Sequence, residues 1–384
     1  MPGETLVIVG ASLTGAKAAE TLRSEGFDGR IVLIGAEAER PYERPALSKA
    51  YVRGERDQAP YVHDEGFYAE HDIELRTGTR VEAIDAGAST VTLGGGEAIG
   101  FDKLLLATGA EPRRLDVPGV VTLRTLEDAD ALRERIAAGA RFVIIGAGWI
   151  GCEVAASARD KGCDVALIEQ AALPLERVLG PELGAIYRDV HLEHGVEFIG
   201  GADITTIASD GVRLADGREI AADVVVAGVG VQPRVELAQA AGLEVDNGVL
   251  TDANLRTSAP NVFAAGDVAN AQHPFYGTRV RVEHWDNAMH QGPAAARNML
   301  GQDAPYDRIP YFFSDQYDVG MEYSGHPESW DEVVFRGDVD KREFLAYWIK
   351  DGIVVAGMNV NVWDVHDDIR ALIERRAPAG DIPA

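Results

Sequence analysis

Three glycines in the middle of the chain have the spacing of a dinucleotide-binding turn. Gly146, Gly148 and Gly151 lie in the segment FVIIGAGWIGCE, between an apolar run typical of a strand and a segment typical of a helix. In this context G-x-G-x-x-G indicates a nucleotide site more strongly than a plain βαβ core unit. Gly146 allows the tight turn, Gly148 has no Cβ to hold a pyrophosphate away from the backbone, and Gly151 lets the helix pack closely. The phosphates are expected at the helix N-terminus.

An acidic residue follows the next predicted strand. The apolar run 164–168 ends at Glu169, where a carboxylate can accept hydrogen bonds from a ribose diol. From Glu169 to Glu176 the sequence reads EQAALPLE, with no Lys or Arg to hold a 2′-phosphate. The segment therefore predicts NAD(H) rather than NADP(H).

The N-terminal segment repeats this pattern. Residues 5–15, TLVIVGASLTG, read as a strand and a glycine turn, and a predicted helix, a second strand and Glu37 follow. The three turn positions hold Gly10, Ser12 and Gly15, so a serine replaces the middle glycine. Taken alone, this copy is explained equally well by a nucleotide site and by a plain βαβ core unit.

Both copies continue in the same order, which predicts one nucleotide domain inserted into another. Each is followed by short strands separated by turns, and then by an apolar strand that ends on small residues, at Thr108-Gly109 and at Gly228-x-Gly230. The predicted fold class is α/β, with two Rossmann-like dinucleotide-binding domains and a small α+β domain at the C-terminus. The predicted bounds are 1–111 with 236–310 for the first, 112–235 for the second and 311–384 for the third.

Two further segments have both a functional and a plainer interpretation. Residues 40–49, RPYERPALSK, carry three cations, and composition alone favours a solvated surface loop. Gly266-Asp267 end a short apolar strand, where open α/β sheets bind their ligands, although a lone Asp is more often an N-cap. Cys152 is interpreted as a small packing residue rather than a redox thiol.

Composition limits the classes of function. A chain of 384 residues with 46% hydrophobic content is long enough for two or three domains. The formal charge of −26 argues against nonspecific nucleic-acid binding and against binding to anionic membranes. Two cysteines, outside any C-x-x-C pair, make a disulfide framework, a zinc site or an iron–sulfur cluster unlikely to form within the chain. With no apolar run long enough for a signal peptide or a membrane span, the expected location is the cytoplasm.

These motifs, taken in order, resemble the FAD-dependent NADH:ferredoxin reductases, the group that includes putidaredoxin, rubredoxin and biphenyl-dioxygenase reductases and is related to apoptosis-inducing factor. The resemblance covers nearly the whole length. Besides the two glycine turns with Glu37, it rests on segments shared with that group: Arg44-Pro45-x-x-Ser48-Lys49, Ala107-Thr108-Gly109, Gly228-x-Gly230-x-x-Pro233, Ala265-Gly266-Asp267, Glu283-His284-Trp285-x-Asn287, Gln291-Gly292 and Ser314-Asp315-Gln316-Tyr317. Phe313 stands where members often carry Trp.

The resemblance implies two cofactors and their sites. FAD would lie on the first glycine turn, with contacts from Gly10, Ser12, Gly15, Glu37, Arg44, Lys49, Thr108, Gly109, Arg124, Gly266, Asp267, Glu283 and Trp285. NAD(H) would lie on the second, with contacts from Gly146, Gly148, Ile150, Gly151, Glu153, Glu169 and Gly230. Glu37 and Glu169 would hold the two riboses. Lys49 and Glu153 are the implied catalytic residues, at the flavin and near the nicotinamide carboxamide.

The implied activity is electron transfer from NADH through FAD to a ferredoxin-type iron–sulfur protein that serves an oxygenase. Disulfide reductases share the two-domain plan, but residues 40–55 contain none of the cysteines that they need. Two alternatives remain open: a diaphorase or oxidase acting on quinones or oxygen, and an NADH-sensing interaction protein like apoptosis-inducing factor. The chain is expected to be a monomer or a homodimer.

Overall fold

The computed structural model describes residues 3–383. The chain divides into two compact units, each assembled from separate segments. The first unit contains the chain up to Glu43, Pro60–Glu111 and Gln232–Phe312. The second contains Arg44–Ala59, Pro112–Val231 and the chain from Phe313 onward.

A five-stranded parallel sheet forms the centre of the first unit. Four of its strands are mainly apolar and buried on both faces, as strands in parallel sheets are, whereas the edge strand Ile73–Arg76 is only partly buried. Leu6 pairs with Ile31 on one side and with Lys103 on the other, so the N-terminal strand is central. In spatial order the strands are Val262–Ala264, Lys103–Leu106, Thr5–Val9, Arg30–Ile34 and Ile73–Arg76.

Two smaller sheets and four α-helices complete the first unit. The predicted antiparallel strands are present as Val81–Asp85, Thr90–Leu93 and Ala98–Gly100. The other small sheet contains Val249–Thr251, Ala269–Gln272 and Arg279–Val280. The α-helices are Leu13–Ser24, Phe67–Glu70, Glu236–Ala240 and Trp285–Met299, and a 3-10 helix spans Gly266–Val268.

The second unit repeats the five-stranded parallel sheet, with four strands in the same order. The outer strand differs, because Val120–Val121 precedes the other four in the chain whereas Val262–Ala264 follows the other four of its sheet. The spatial order is Val120–Val121, Val224–Ala227, Phe142–Ile145, Val165–Ile168 and Glu197–Ile199. A three-stranded antiparallel sheet follows, with Ile204–Ala208, Gly211–Leu214 and Glu219–Ala221. Its α-helices are Leu126–Ala137, Trp149–Asp160, Glu176–Leu179 and Pro181–Glu193. The chain passes between the units within the short strands Ala110–Pro112 and Val231–Pro233.

The C-terminal part of the chain forms a five-stranded antiparallel sheet and one α-helix. The strands, in spatial order, are Tyr311–Gln316, Val319–Gly325, Ile353–Val360, Glu343–Lys350 and Glu332–Asp338, and the helix is His366–Glu374. The hairpin turn at Asp351-Gly352 has positive φ at both residues, 50° and 75°, as a two-residue turn of that sequence requires. A 3-10 helix, Ala379–Asp381, follows.

One prediction from composition is wrong. The segment interpreted as a solvated loop contains a 3-10 helix, Arg44–Ala46, and a helical turn, Leu47–Tyr51. Ser48 and Lys49 are 1% and 8% exposed. A charged side chain is usually exposed unless it pairs with an opposite charge. Lys49 has such a partner elsewhere in the second unit, and for this reason its charge does not indicate exposure.

The structure also corrects two helix boundaries, because both helices begin earlier than their apolar pattern. The sequence pattern predicts helices over 16–24 and 287–299. The first helix starts at Leu13, directly after the glycine turn, and the later one starts at Trp285. Within residues 3–383, no helix is both long enough and apolar enough to cross a membrane.

Candidate active site

The second glycine turn has a close-packed side and an open side. A Cβ added to Gly151 would lie 1.9 Å from the carbonyl oxygen of Gly146, and one added to Gly146 would lie 2.5 Å from that of Gly228. An added Cβ at Gly148 would meet no atom within 4 Å. Gly146 and Gly151 are therefore required by the fold itself, whereas Gly148 leaves space in front of the helix.

The helix that follows this turn begins without a capping side chain. Gly148 is the N-cap of the helix Trp149–Asp160, and its first turn holds no acidic residue. In the same unit the helix Leu126–Ala137 begins with a capping box formed by Thr125 and Asp128. An uncapped N-terminus presents unsatisfied N–H groups and a partial positive charge to an anion. Beside it, Ile150 is 43% exposed, which suits an apolar ligand contact.

Glu169 is held in place beside this turn by the backbone. One carboxylate oxygen accepts a hydrogen bond from the N–H of Ala147 at 2.6 Å, and the other accepts one from Ala171 at 3.0 Å. Each carboxylate oxygen retains acceptor capacity, which a ribose diol can use. Gly230 has a φ of 95°, and its carbonyl accepts from the N–H of Arg113.

The first glycine turn is packed in the same way. A Cβ added to Gly10, whose φ is 123°, would lie 2.0 Å from the carbonyl oxygen of Ala107. One added to Gly15 would lie 2.1 Å from the carbonyl oxygen of Gly10. Ser12 is the N-cap of the helix Leu13–Ser24, but its side chain makes no capping hydrogen bond. The serine that replaces the middle glycine thus leaves the N–H groups of the helix open to an anion.

Glu37, Thr108 and Gly109 lie in the first unit with this turn. The carboxylate of Glu37 accepts a hydrogen bond from the hydroxyl of Tyr42. Thr108 donates its hydroxyl to the carbonyl of Arg234 at 2.9 Å, and Gly109 has a φ of 71°. These bonds fix the backbone where the strand Lys103–Leu106 ends.

The residues around Gly266 form the remaining part of the predicted set in the first unit. The N–H of Gly266 donates to the Gln291 side chain at 2.8 Å. The guanidinium of Arg281 bonds both the carbonyl of Asp267, at 3.2 Å, and the carboxylate of Glu283. Trp285 is the first residue of the helix Trp285–Met299.

In the second unit, Lys49 and Glu153 form a buried ion pair. The Lys49 ammonium lies 2.9 Å from Oε1 of Glu153, and the two residues are 8% and 4% exposed. The hydroxyls of Ser48 and Ser314 donate to this carboxylate at 2.5 and 2.7 Å. A buried charge pair is tolerated only when further hydrogen bonds satisfy its remaining polar atoms, as the two serines do here.

Lys49 retains capacity for one more acceptor. Its ammonium has three N–H donors, and it also donates to the carbonyl of Pro45 at 3.2 Å. The ring centroid of Phe313 lies 5.4 Å from Nζ. Phe313, which stands where members of the group that the sequence resembles often carry Trp, therefore also presents an aromatic face to the cation. Nearby in the chain, Arg44 donates to the carbonyl of Arg124, which holds these two predicted flavin contacts in one unit.

From the sequence, Ser48 is interpreted only as a signal for the start of a helix, and Ser314 has no role of its own. Both residues lie in the segments that carry the resemblance, but Ser48 is 105 and Ser314 is 161 residues away from Glu153. No spacing rule connects positions so far apart, so no local signal identifies either serine as a partner of Glu153. Ser48 lies within the helical turn Leu47–Tyr51.

Cys152 has no access to redox chemistry. The residue is 0% exposed, and burial raises the pKa of its thiol well above the usual value, with Glu153 and Glu169 adding to the shift. The thiolate, not the thiol, is the reactive form. The packing role predicted for this residue agrees with its burial.

His290 belongs to a charged cluster in the first unit. Arg308 donates to both carboxylate oxygens of the buried Asp286 at 2.7 and 2.9 Å, and the Nδ1 atom of His290 lies 3.2 Å from the same carboxylate. Burial opposes ionisation of Asp286, but the bonds from His290 and Arg308 outweigh it and lower the pKa of the carboxyl. The hydrogen bond to Asp286 raises the pKa of His290.

His290→Gln is expected to destabilise the protein more in acid than in base. Because the folded pKa of His290 is raised, its stabilisation is full below the unfolded pKa of about 6.5 and disappears as pH rises through the folded value. Thermal melting at about pH 5.5 and about pH 9 should show a larger loss at the lower pH. A control follows the titration of His290 by NMR, where Asp286→Asn should return its pKa to the ordinary range. Equal losses at both pH values would contradict this pairing.

Comparison with known proteins places this geometry in a family. Residues 4–292 match the family described as pyridine nucleotide-disulphide oxidoreductase, and residues 311–381 match the domain described as reductase C-terminal. The chain belongs to the pyridine nucleotide-disulphide oxidoreductase family. The predicted fold class and the resemblance stated from the sequence are both confirmed.

Similar proteins match over nearly their whole length. The ferredoxin-NAD(+) reductase component of the anthranilate 1,2-dioxygenase system of Burkholderia cepacia is 42% identical, over 94% of this chain and 92% of the relative. Putidaredoxin reductase of Pseudomonas putida is 37% identical, over 98% and 93%. In the crystal structure of the covalent putidaredoxin reductase-putidaredoxin complex, the matching chain has a TM-score of 0.94 and 36% identity, with 98% of this chain and 94% of that chain covered.

Proposed function

We propose that this protein is an FAD-dependent reductase that passes electrons from NADH to a ferredoxin-type iron–sulfur protein serving an oxygenase. The single observation that carries the proposal is the duplicated nucleotide turn, in which each unit has an uncapped helix N-terminus next to an apolar strand. The match to ferredoxin-NAD(+) reductase components along nearly the whole chain supports the acceptor. A complex with putidaredoxin is known for a structural relative.

The described residues fit two dinucleotides. At the second turn, Gly148 leaves the space that a pyrophosphate would fill, and Glu169 is already fixed for a ribose. At the first turn, Ser12 makes no cap that would compete for the N–H groups. We assign FAD to the first turn and NAD(H) to the second. The proposed domains are residues 1–111 with 236–310 for FAD, 112–235 for NAD(H) and 311–384 for acceptor docking.

A bound flavin would supply the chemistry of accepting a hydride from NADH and of passing single electrons to the acceptor. The protein supplies orientation and electrostatics. Lys49 would supply a fixed positive charge that favours reduction of the flavin, and Glu153 holds Lys49 in place through its ion pair. Because the ammonium is buried, little solvent screens its charge. Glu153 is also proposed to contact the nicotinamide carboxamide.

The identity of the flavin is tested directly. The proposal expects the purified protein to be yellow and to release FAD when it is denatured by heat, as measured by chromatography against FAD and FMN standards. FMN lacks the adenosine of FAD, so it would leave the proposed adenosine-binding turn of the first unit without a ligand. Release of FMN, or of no flavin, would contradict the assignment of the first turn.

Glu169→Ala is expected to reduce the preference for NADH over NADPH by about tenfold or more. The substitution removes acceptors for the ribose diol, each hydrogen bond contributing roughly 1 kcal/mol, and removes the charge that repels a 2′-phosphate. The measurement is kcat/KM for both nucleotides.

The matched control is Glu169→Asp, which shortens the side chain but keeps its charge. It should lower kcat/KM for NADH while still rejecting NADPH. If Glu169→Ala leaves the ratio of the two kcat/KM values unchanged, this residue does not determine nucleotide preference.

Two of the earlier expectations remain predictions. A cytoplasmic location suits a protein whose two cysteines are both free and buried. The oligomeric state, monomer or homodimer, is to be determined by light scattering on the purified protein.

A further inference from the structure

A chain of polar side chains leads away from the ion pair through the second unit. Ser314, which donates to Glu153, accepts a hydrogen bond from Nε2 of Gln316 at 3.3 Å. Oε1 of Gln316 lies 3.1 Å from Nε2 of His191, and Nδ1 of His191 lies 3.2 Å from the hydroxyl of Tyr317. Ser314, Gln316 and His191 are at most 1% exposed. The proposed function uses none of Gln316, His191 and Tyr317.

The direction of this chain follows from what each group can donate. An ionised carboxylate only accepts, so the proton of the Ser314 hydroxyl is the one shared with Glu153. The hydroxyl oxygen then accepts from the amide nitrogen of Gln316, which turns the amide oxygen towards His191. The amide oxygen requires a proton on Nε2 of His191, which leaves Nδ1 as an acceptor for the Tyr317 hydroxyl. Every donor in the chain therefore points towards Glu153.

The opposite direction would have a different effect on the ion pair. With the Gln316 amide turned over, its oxygen would accept the Ser314 proton, and its nitrogen would require a bare Nε2 on His191. Glu153 would then lose the hydrogen bond from Ser314 and keep only its contacts with Ser48 and Lys49. The two directions therefore differ in whether Ser314 donates to Glu153. The His191 tautomer distinguishes between them.

His191 is suited to fix this direction because it is neutral. Burial lowers its pKa to about 4, although the bond from Gln316 opposes the shift. A neutral imidazole carries one proton, and its two partners decide which nitrogen holds it. A charged ring would donate from both nitrogens and would require Tyr317 to accept instead.

The backbone at Tyr317 indicates that its side chain is needed there. The residue lies in the two-residue turn between the strands Tyr311–Gln316 and Val319–Gly325 and has a φ of 55°. This left-handed conformation is unfavourable for a bulky residue and natural for glycine. The tyrosine ring stacks on His194 with centroids 3.8 Å apart. The ring contact and the bond to His191 together compensate for the backbone strain.

We propose that Gln316 and His191 are positioning residues, which orient the Ser314 hydroxyl towards Glu153 and so hold the carboxylate in place against Lys49. The catalytic consequence rests on the proposed function, in which Lys49 acts on the flavin. The direction of the chain is a property of the protein itself. Hydrogen bonds aligned in one direction also polarise and strengthen each other.

The first test needs no turnover. In protein labelled with 15N at histidine, with its flavin bound and oxidised at neutral pH, the His191 ring should be neutral and protonated on Nε2. The signal is assigned by its loss in His191→Gln. A ring protonated on Nδ1, or a charged ring, would overturn the proposal whatever the enzymatic rates are.

The second test distinguishes a role in orienting the Ser314 hydroxyl from a role in packing alone. His191→Gln places an amide nitrogen where Nε2 was, and should keep the parent rate of flavin reduction by NADH. His191→Leu and Gln316→Met fill similar volume without the donors, and should slow the reduction about tenfold, as expected for one lost hydrogen bond in a buried network. Flavin content and KM for NADH should stay at the parent values. Equal rates for His191→Gln and His191→Leu would overturn the proposal.

The two proposals can fail separately. A parent protein whose flavin NADH does not reduce would refute the proposed function, and the His191 tautomer would still report the direction of the chain. A parent protein that turns over rapidly with the wrong tautomer would refute only the positioning role.

Discussion

Replacing Lys49 with methionine is expected to slow reduction of the bound flavin by NADH by about 10²- to 10³-fold, the usual effect of removing one preorganised donor to a developing charge. Methionine keeps a similar side-chain length and removes the charge together with the N–H donors to Glu153 and Pro45. The effect is large because the ammonium is buried and fixed by Glu153 and Pro45. Anaerobic stopped-flow absorbance of the flavin measures the rate directly.

A second variant separates this effect from instability. Lys49→Met leaves the Glu153 carboxylate buried without a counter-charge, which costs roughly 3–5 kcal/mol. Lys49→Met combined with Glu153→Gln removes that charge while the amide oxygen of glutamine still accepts from a serine. The double variant should recover melting temperature and flavin content but remain slow. An unchanged rate in either variant would remove Lys49 from the mechanism.

Gly148→Ala is expected to raise the Kd for NADH by about tenfold to a hundredfold, that is roughly 1.4–2.8 kcal/mol, with the fold intact. The added methyl meets no protein atom within 4 Å, so it occupies only the space proposed for the pyrophosphate. Phosphates held farther from the helix N-terminus lose hydrogen bonds to its N–H groups and also the favourable interaction with the helix dipole. Titration of the oxidised protein with NAD(+) and steady-state KM for NADH both measure this loss.

Two other glycines serve as controls for this substitution. Gly380→Ala also adds a Cβ with nothing within 4 Å, but lies outside both turns, and should leave nucleotide binding unchanged. Gly151→Ala adds a Cβ 1.9 Å from the carbonyl oxygen of Gly146 and should prevent folding of this unit. Parent-like binding in Gly148→Ala would place the pyrophosphate elsewhere.

The nucleotide-binding parts could be predicted from the sequence because their signals are local. A glycine turn, the strand before it and the helix after it lie within residues 5–24 in one copy and within residues 142–160 in the other. The spacing of the glycines is visible at this range, although the backbone atoms that an added Cβ would meet at Gly10 and Gly146 belong to the distant Ala107 and Gly228. The duplicated order of elements then implied two similar sheets. A proline at the first helical position and a glycine shortly after the end predict a helix over 181–193, and the structure has the helix Pro181–Glu193 for the same local reason.

The ion pair could not be predicted from residue types. Lys49 lies in a segment rich in proline and charge, which composition assigns to the surface, and its partner is 104 positions away. Only tertiary packing brings together the lysine, the carboxylate and the two serines. The resemblance supplied roles for Lys49 and Glu153, but not the hydrogen bonds that hold them or the chain that continues to His191.

Anaerobic stopped-flow reduction of the purified protein tests the central claim most directly. The protein is mixed with NADH or, separately, with NADPH, and then with a 2Fe-2S ferredoxin. The account predicts fast bleaching of the flavin by NADH, slow bleaching by NADPH and prompt reduction of the ferredoxin. Fast bleaching without transfer to any ferredoxin would point to a diaphorase or an NADH sensor, and a protein with no bound flavin would contradict the account as a whole.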